Sequence, residues 1–121
     1  MSVVAWIAAA ALGGCGAILR FLLDAKVSSR LGRDFPYGTF VVNITGSVFL
    51  GLVVGATLAG DAAILIGTAT IGSYTTFSTW MFETHRLAEQ GEVARAFANA
   101  AVSLATGLAA VALGRALGGL L

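Results

Sequence analysis

Residues 68–79 read Thr-Ala-Thr-Ile-Gly-Ser-Tyr-Thr-Thr-Phe-Ser-Thr, and eight of these twelve residues carry a hydroxyl group. The stretch lies within an uncharged run of 21 residues, 62–82, which is about the length that a helix needs to cross a bilayer. A hydroxyl can bond back to its own helix, but this accounts for only a few of the eight. Gly72, at the centre of the run, is followed by serine and threonine residues that form helices poorly. We therefore expect a membrane-spanning helix that is broken at about residues 72–76.

Three other parts of the chain also lack charged residues, namely 1–19, 35–60 and 96–114. All 13 formal charges, seven Lys or Arg and six Asp or Glu, lie outside the four runs, and 58% of the chain is hydrophobic. Each run is long enough for one transmembrane helix. We therefore predict an all-α integral membrane protein with a single domain, residues 1–121, that crosses the bilayer four times. The predicted spans are residues 3–23, 36–60, 62–82 and 96–116.

The composition excludes several other classes of protein. A soluble four-helix bundle needs a polar face on each helix, and these runs have no charged face to expose to water. The net charge of +1 gives no electrostatic footprint for nucleic acid, so no nucleic-acid partner is expected. An enzyme is not expected either, because the only histidine, His85, lies at the predicted membrane edge without a partner for catalysis. We expect a multi-pass protein of the cell membrane, either inner or plasma membrane.

Neutral polar residues lie within two further spans. Asn43 is in the second span, where a buried amide must find a partner. On the fourth span, Asn99, Ser103 and Thr106 are spaced at i, i+4 and i+7 and therefore share one face. None of the four runs contains an acidic residue. The one cation near the apolar zone is Arg20, which either extends to the lipid headgroups or contributes to a pore.

These polar faces favour a path for a small anion. Amide and hydroxyl donors can replace the hydration water of an anion without trapping it, whereas a proton-coupled cation carrier needs a carboxylate within the membrane. A broken helix adds carbonyl oxygens that coordinate cations and a helix N-terminus that favours anions. Phe77 and Trp80, at i and i+3, either pack within the protein or present the positive edges of their rings to the anion.

Three segments of the chain resemble the CrcB or Fluc family of fluoride channels. Residues 13–20, Gly-Gly-Cys-Gly-Ala-Ile-Leu-Arg, are similar to the opening motif of that family. Residues 37–46, Tyr-Gly-Thr-Phe-Val-Val-Asn-Ile-Thr-Gly, look like its second-span segment. Residues 72–80, Gly-Ser-Tyr-Thr-Thr-Phe-Ser-Thr-Trp, are similar to the signature on its broken third helix. The resemblance covers three of the four spans by motif and the whole chain by length.

The resemblance implies a fluoride-selective ion channel that exports fluoride passively and so protects the cell against fluoride toxicity. It also implies an antiparallel, dual-topology homodimer with a structural Na⁺ at its centre, which is needed but not transported. The backbone carbonyls of Gly72 and Thr75 would hold this ion, and Arg20 would be a vestibule cation. The implied fluoride pore consists of Asn43, Phe77, Ser78, Thr79 and Trp80, with Ser103, Asn99 and Thr106 from the fourth span.

Three residues and the charge distribution depart from the family pattern. Ser73 replaces the second glycine of the third-helix signature, which should not affect a backbone-carbonyl site unless it changes the unwinding. Trp80 stands where the family usually has Phe, which adds an indole donor and bulk beside the anion site. Near Asn99 the family often has Tyr, so an amide replaces a phenol there. Six Lys or Arg lie on the side of the first and third connections and one on the other side, which by itself predicts both termini outside. Two partners therefore stay open, a second copy of this chain or an oppositely oriented paralogue.

Two other functions are alternatives to the channel. A small multidrug-type antiporter has a similar length and number of spans, but it would need an acidic residue within the first span, which has none. A structural or accessory membrane protein would have no use for the hydroxyl-rich third span. Both alternatives are therefore less favoured than a fluoride channel.

Overall fold

The computed structural model describes all residues, 1–121, and contains helices and their connections but no strands. The helices are α1 (Val3–Leu31), α2 (Tyr37–Gly55), α3 (Gly60–Ala62), a π-helix (Ala63–Ile71), α4 (Gly72–Tyr74), α5 (Ser78–Glu89) and α6 (Val93–Gly118). Of these, α1, α2 and α6 are each long and apolar enough to cross a membrane. The all-helical fold class is thereby confirmed, with three membrane-spanning candidates.

The predicted third span does not form one continuous helix. Residues 60–74 are helical, largely in π-helical form, and the chain becomes helical again in α5. Between these two parts, Thr75 has extended backbone with φ −83° and ψ 160°. Gly72, which the sequence placed at the start of a break, is helical, because its N–H donates to a carbonyl five residues earlier. The non-helical segment therefore lies at residues 75–77, and we refer to residues 60–74 and α5 together as the third helix.

The first helix is longer than the predicted span, 3–23. It begins after Ser2, whose side chain accepts the N–H of Ala5 at 3.1 Å and so caps the helix. It continues to Leu31 and ends at Gly32, whose φ of 84° favours glycine. Charged residues in this helix thus mark the expected edge of the membrane and not the end of the helix.

The second helix is shorter than the predicted span, 36–60. The N–H of Leu58 donates to the carbonyl of Val53 at 3.3 Å. The N–H of Thr57 donates to the carbonyl of Val54 at 3.1 Å, which completes a Schellman motif. Thr57 adopts the left-handed φ of 55° that this motif requires, although its β-branched side chain is strained there. Helix α2 therefore ends before the uncharged run does.

Helices α2 and α6 pack through four glycine residues, which we call the glycine seam. A Cβ atom at Gly51 or Gly55 would collide with the backbone of α6. In the same way, a Cβ atom at Gly114 or Gly118 would collide with the backbone of α2. The contact between these two helices is the most extensive in the fold. Close backbone approach of this kind is how helices gain packing energy in lipid.

Helix α1 packs against the first part of the third helix, again through glycine. A Cβ atom at Gly16 would collide with the carbonyl oxygen of Thr70, and one at Gly13 would lie 3.2 Å from the hydroxyl of Ser73. Helices α1 and α2 therefore hold residues 60–74 from two sides. This arrangement places the non-helical segment beside α2, with Thr75 and Thr76 half-buried and Phe77 exposed.

Most large apolar side chains point away from the rest of the subunit. Only 17 of 121 residues are buried, whereas Trp6 and Phe21 are 64% and 70% exposed. Exposed apolar surface of this extent marks contact with lipid or with another protein chain. The subunit therefore has a small buried core, and its outer surface suits the hydrocarbon of a bilayer.

Candidate functional site

An open cavity of about 360 Å³ lies between α2, α6 and the third helix, and we call it the central cavity. No charged side chain lines it. Its apolar part includes Ile44, Leu50 and Val111. The predicted site residues that line the central cavity are Asn43, Gly72, Thr75, Phe77, Trp80 and Ser103.

The side chain of Asn43 holds the non-helical segment by two hydrogen bonds. Its Nδ2 donates to the carbonyl of Thr76 at 2.8 Å, and its Oδ1 accepts the N–H of Thr76 at 2.8 Å. Backbone groups at membrane depth need such partners where the helix is interrupted. An amide nitrogen carries two hydrogens, so one donor of Asn43 stays available at the wall of the cavity.

The side chain of Thr76 in turn caps α5. Its Oγ1 accepts the N–H of Thr79 at 3.2 Å and donates to the hydroxyl of Thr79 at 3.0 Å. The N–H of Phe77 donates to no backbone carbonyl. Because Thr76 and Phe77 both line the central cavity, the start of α5 lies at its wall. The start of a helix carries partial positive charge, which favours an anion.

The carbonyl groups of Gly72 and Thr75 both lack their usual helical donors, as does the carbonyl of Ser73, because the N–H of Phe77 donates to no carbonyl. The N–H of Thr76 would donate to the carbonyl of Gly72 in a regular helix, but here it donates to Asn43. No backbone N–H donates to the carbonyl of Thr75. Free carbonyl oxygens at a helix interruption are the groups that coordinate a cation in membrane proteins. The donor set at Gly72 and Thr75 therefore suits a cation without a charged side chain.

Two aromatic rings meet at the cavity wall. The ring centroids of Phe77 and Trp80 are 5.6 Å apart with an angle of 85° between the planes, which is an edge-to-face contact. Phe77 is 69% exposed on the isolated subunit. The indole N–H of Trp80 donates to the backbone carbonyl of Asn99 at 2.9 Å, so this donor is already occupied within the subunit.

The other predicted site residues lie outside the lining of the central cavity. Ser78 and Thr79 are exposed on α5, and Thr106 is half-buried on α6. Asn99 is only 2% exposed and lies between α5 and α6. Arg20 is half-buried on α1 and forms no salt bridge within the subunit. The pore and vestibule roles of these residues stay predictions.

Two residues that the sequence did not assign to the site complete its wall. A Cβ atom at Gly46 would collide with the side chain of Thr75, so glycine lets the non-helical segment approach α2. The hydroxyl of Ser47 donates to the carbonyl of Asn43 at 2.7 Å. Gly46 and Ser47 are three and four residues after Asn43 and therefore lie on the same helix face, which is the signal that could have identified them.

A second polar contact joins α2 to α5 near the expected membrane edge. The hydroxyl of Thr39 donates to the carboxylate of Glu83. The other carboxylate oxygen of Glu83 lies 3.9 Å from a guanidinium nitrogen of Arg86. The side chain of Glu83 is 15% exposed. This contact fixes the middle of α5 relative to α2, while Asn43 fixes the segment that precedes α5.

Comparison with known proteins gives consistent matches along the chain. A family model described as CrcB-like protein, Camphor Resistance (CrcB), matches residues 7–115. A Mycobacterium tuberculosis protein named fluoride-specific ion channel FluC 2 is 52% identical over 115 residues, which cover 95% of this chain and 91% of that protein. A Mycolicibacterium paratuberculosis protein of the same name is 47% identical over 116 residues, covering 96% of this chain and 95% of that protein.

A relative of lower sequence identity gives the same result. The Symbiobacterium thermophilum protein named fluoride-specific ion channel FluC 1 is 41% identical over 121 residues, covering 95% of this chain and 98% of that protein. The match to the family model includes every residue that lines the central cavity. The resemblance found in the three sequence segments is thereby confirmed, and the chain belongs to the CrcB family.

Proposed function

We propose that this protein is a passive, fluoride-selective ion channel. The observation that carries the proposal is the central cavity, where the Asn43 amide and the rings of Phe77 and Trp80 line a wall without charged side chains. Relatives named fluoride-specific ion channels support the same function for this chain. Passive export would protect the cell from fluoride that enters as neutral HF. As a member of this ion-channel family, the protein is not an enzyme.

The donors at the cavity wall suit a small, strongly hydrated anion. A pore must replace the hydration water of the ion with groups held in position, yet bind the ion weakly enough to release it. Thr76 holds the Asn43 amide in one orientation and leaves one hydrogen for the ion. The free N–H of Phe77 adds a second neutral donor. Because none of these groups carries a full charge, the anion is attracted without being trapped.

Fluoride efflux from liposomes tests this function. Purified protein is incorporated into vesicles loaded with fluoride, and a fluoride electrode follows release into a fluoride-free medium. We expect fluoride to leave along its own gradient at a rate that does not depend on an imposed pH difference. Proton-driven transport of an organic cation without fluoride efflux would favour the alternative, a small multidrug-type four-helix antiporter. The absence of fluoride efflux would contradict both the channel and its proposed role in fluoride resistance.

We propose in addition that a structural Na⁺ binds the carbonyl oxygens of Gly72 and Thr75. Both oxygens lack helical donors, and Gly72 is exposed on the isolated subunit, so a second copy could supply two further oxygens to the same ion. Uncharged carbonyl oxygens are typical ligands of alkali cations in channels. The ion would stabilise the non-helical segment and would not be transported.

Removal of Na⁺ tests this cation site. In buffer with N-methylglucamine in place of Na⁺, we expect a lower melting temperature of the purified protein and a loss of fluoride efflux. Both should return when Na⁺ is added back. An unchanged melting temperature without Na⁺ would contradict the site, whereas transport of Na⁺ itself would contradict its structural role.

We also propose an antiparallel dimer in the inner or plasma membrane, in which each subunit has four spans and the broken third helix is the third of them. The exposure of Phe77 beside the central cavity supports a second subunit at this surface. The partner is either an identical copy or a paralogue, and the numbers 1 and 2 in the names of the relatives support the latter alternative. If the chain purified alone is dimeric and conducts fluoride, it is a homodimer. If it requires a second, different chain, the partner is a paralogue.

A further inference from the structure

Asn99 and Trp80 bind each other's backbone between α5 and α6. The indole N–H of Trp80 donates to the carbonyl of Asn99 at 2.9 Å, and Nδ2 of Asn99 donates to the carbonyl of Trp80 at 3.4 Å. Asn99 Nδ2 also donates to the hydroxyl of Thr84 at 2.8 Å. Thr84 completes the contact, because its own hydroxyl donates to the carbonyl of Trp80 at 2.8 Å. We call these three residues the α5–α6 clasp.

Within the clasp, Asn99 is buried, whereas Trp80 and Thr84 are half-buried. Asn99 is 2% exposed and does not line the cavity, whereas the ring of Trp80 does. Hydrogen bonds in a site that excludes water have no competing partner, so they restrict the orientation of the groups that they join. A bulky indole without such a bond would be free to occupy other rotamers beside Phe77.

We propose that Asn99 is a positioning residue that acts on anion conduction through Trp80. Its side chain fixes the distance between α5 and α6, and this distance brings the Asn99 carbonyl within reach of the indole N–H. The indole is thereby held edge-to-face with Phe77, at 5.6 Å between ring centroids, on the wall of the central cavity. The inference rests on the proposed channel function, and it differs from a pore-lining role for Asn99.

A variant series with one fluorescent tryptophan tests the positioning role. The chain has two tryptophans, so Trp6→Phe leaves Trp80 as the only one, and Trp6 lies 64% exposed on α1. In this background, Asn99→Leu removes the amide while keeping a similar volume. We expect the Trp80 emission to shift to longer wavelength, its anisotropy to fall and fluoride efflux to drop about tenfold.

Two further variants control for folding and for location. Phe97→Leu changes a side chain on α6 that is 75% exposed, and it should alter neither emission nor efflux. Thr84→Val removes only the hydroxyl of the clasp, so it should shift emission and efflux in the same direction as Asn99→Leu but by less. If Asn99→Leu does not yield a folded dimer, Thr84→Val carries the test alone.

A double-mutant comparison separates action through Trp80 from direct contact with the ion. In a Trp80→Phe background, Asn99→Leu should reduce efflux by clearly less than tenfold, because the indole is no longer there to be misplaced. An equal reduction in both backgrounds, or loss of efflux with unchanged Trp80 emission, would overturn the proposal. Unchanged efflux with altered emission would overturn it as well. Absence of efflux from the unmodified protein would instead defeat the proposed function, and the emission data would still report on the clasp.

Discussion

The two faces of α2 hold their neighbours in opposite ways. Towards α6, the glycine seam brings backbone against backbone, and its four positions contribute no side chain. Towards the third helix, side chains reach across, with Asn43 bound to Thr76 and the hydroxyl of Thr45 2.8 Å from that of Tyr74. The first interface requires glycine, because a Cβ atom would keep the two backbones apart, whereas the second requires particular polar side chains.

This difference separates the scaffold from the site. In lipid, helices gain packing only by close approach, so any added Cβ atom costs stability at the glycine seam. At the polar interface, backbone that has left the helix must be satisfied by a specific donor and acceptor. We therefore expect substitutions in the seam to affect folding and substitutions at the polar interface to affect conduction.

The largest effect is expected from Gly114→Leu in the glycine seam. A Cβ atom here would collide with the carbonyl oxygen of Val48, so we expect a loss of at least about 3 kcal/mol and little folded protein. The matched control is Gly14→Leu, because no atom lies within 4 Å of a Cβ atom at Gly14. Size-exclusion profiles and melting temperatures in detergent measure both. A well-folded Gly114→Leu protein would contradict the backbone packing described here.

A smaller effect, on conduction alone, is expected from Asn43→Asp at the polar interface. The carboxylate would still accept the N–H of Thr76, but it would lose the donor to the Thr76 carbonyl and would place negative charge on the anion path. We expect fluoride efflux to fall about 100-fold, with the protein still folded. Efflux at the rate of the unmodified protein would remove Asn43 from the pore.

A still smaller effect on conduction is expected from Phe77→Ile. The change removes the ring edge at the wall of the central cavity, and we expect efflux to fall about tenfold with an unchanged dimer. Phe82→Ile is the matched control, because Phe82 lies on α5, is 64% exposed and does not line the cavity. Equal efflux from the two variants would mean that the ring of Phe77 does not contact the ion.

The smallest effect is expected from Thr57→Gly, which lies at the end of α2 and far from the polar interface. Glycine adopts the left-handed φ of 55° without the strain of a β-branched residue. We expect a gain of about 0.5 kcal/mol in stability, since the entropy cost of glycine offsets part of the relief. Melting temperature measures the gain, and fluoride efflux should not change. A lower melting temperature would show that the Thr57 side chain stabilises the turn.

The sequence predicted the long helices better than it predicted their ends. Uncharged length identified the three helices that are long and apolar enough to cross a membrane, because burial in lipid excludes charge. The end of α1 at Leu31 could not be predicted in this way, since charged residues continue a helix beyond the membrane edge. The end of α2 at Gly55 depends on a left-handed turn at Thr57, and threonine gives no local signal for such a turn.

The sequence predicted the residues of the candidate site better than their positions relative to one another. The hydroxyl-rich stretch predicted an interruption, but its position at residues 75–77 depends on the distant Asn43, which takes the N–H of Thr76. Helical spacing put Asn99 and Ser103 on one face, yet only Ser103 lines the central cavity. Asn99 lies one turn earlier on α6 than Ser103, at the level where it contacts Trp80 and Thr84 of α5.

We expect the neutral donors around the central cavity to select fluoride over other anions. The most direct test loads liposomes containing the purified protein with equal concentrations of fluoride and chloride, and follows both ions with selective electrodes in the same sample. We expect fluoride to leave rapidly while chloride stays within the vesicles, at the rate of protein-free liposomes. Equal release of the two anions would show that the protein does not select fluoride, and release of neither would show that it does not conduct fluoride.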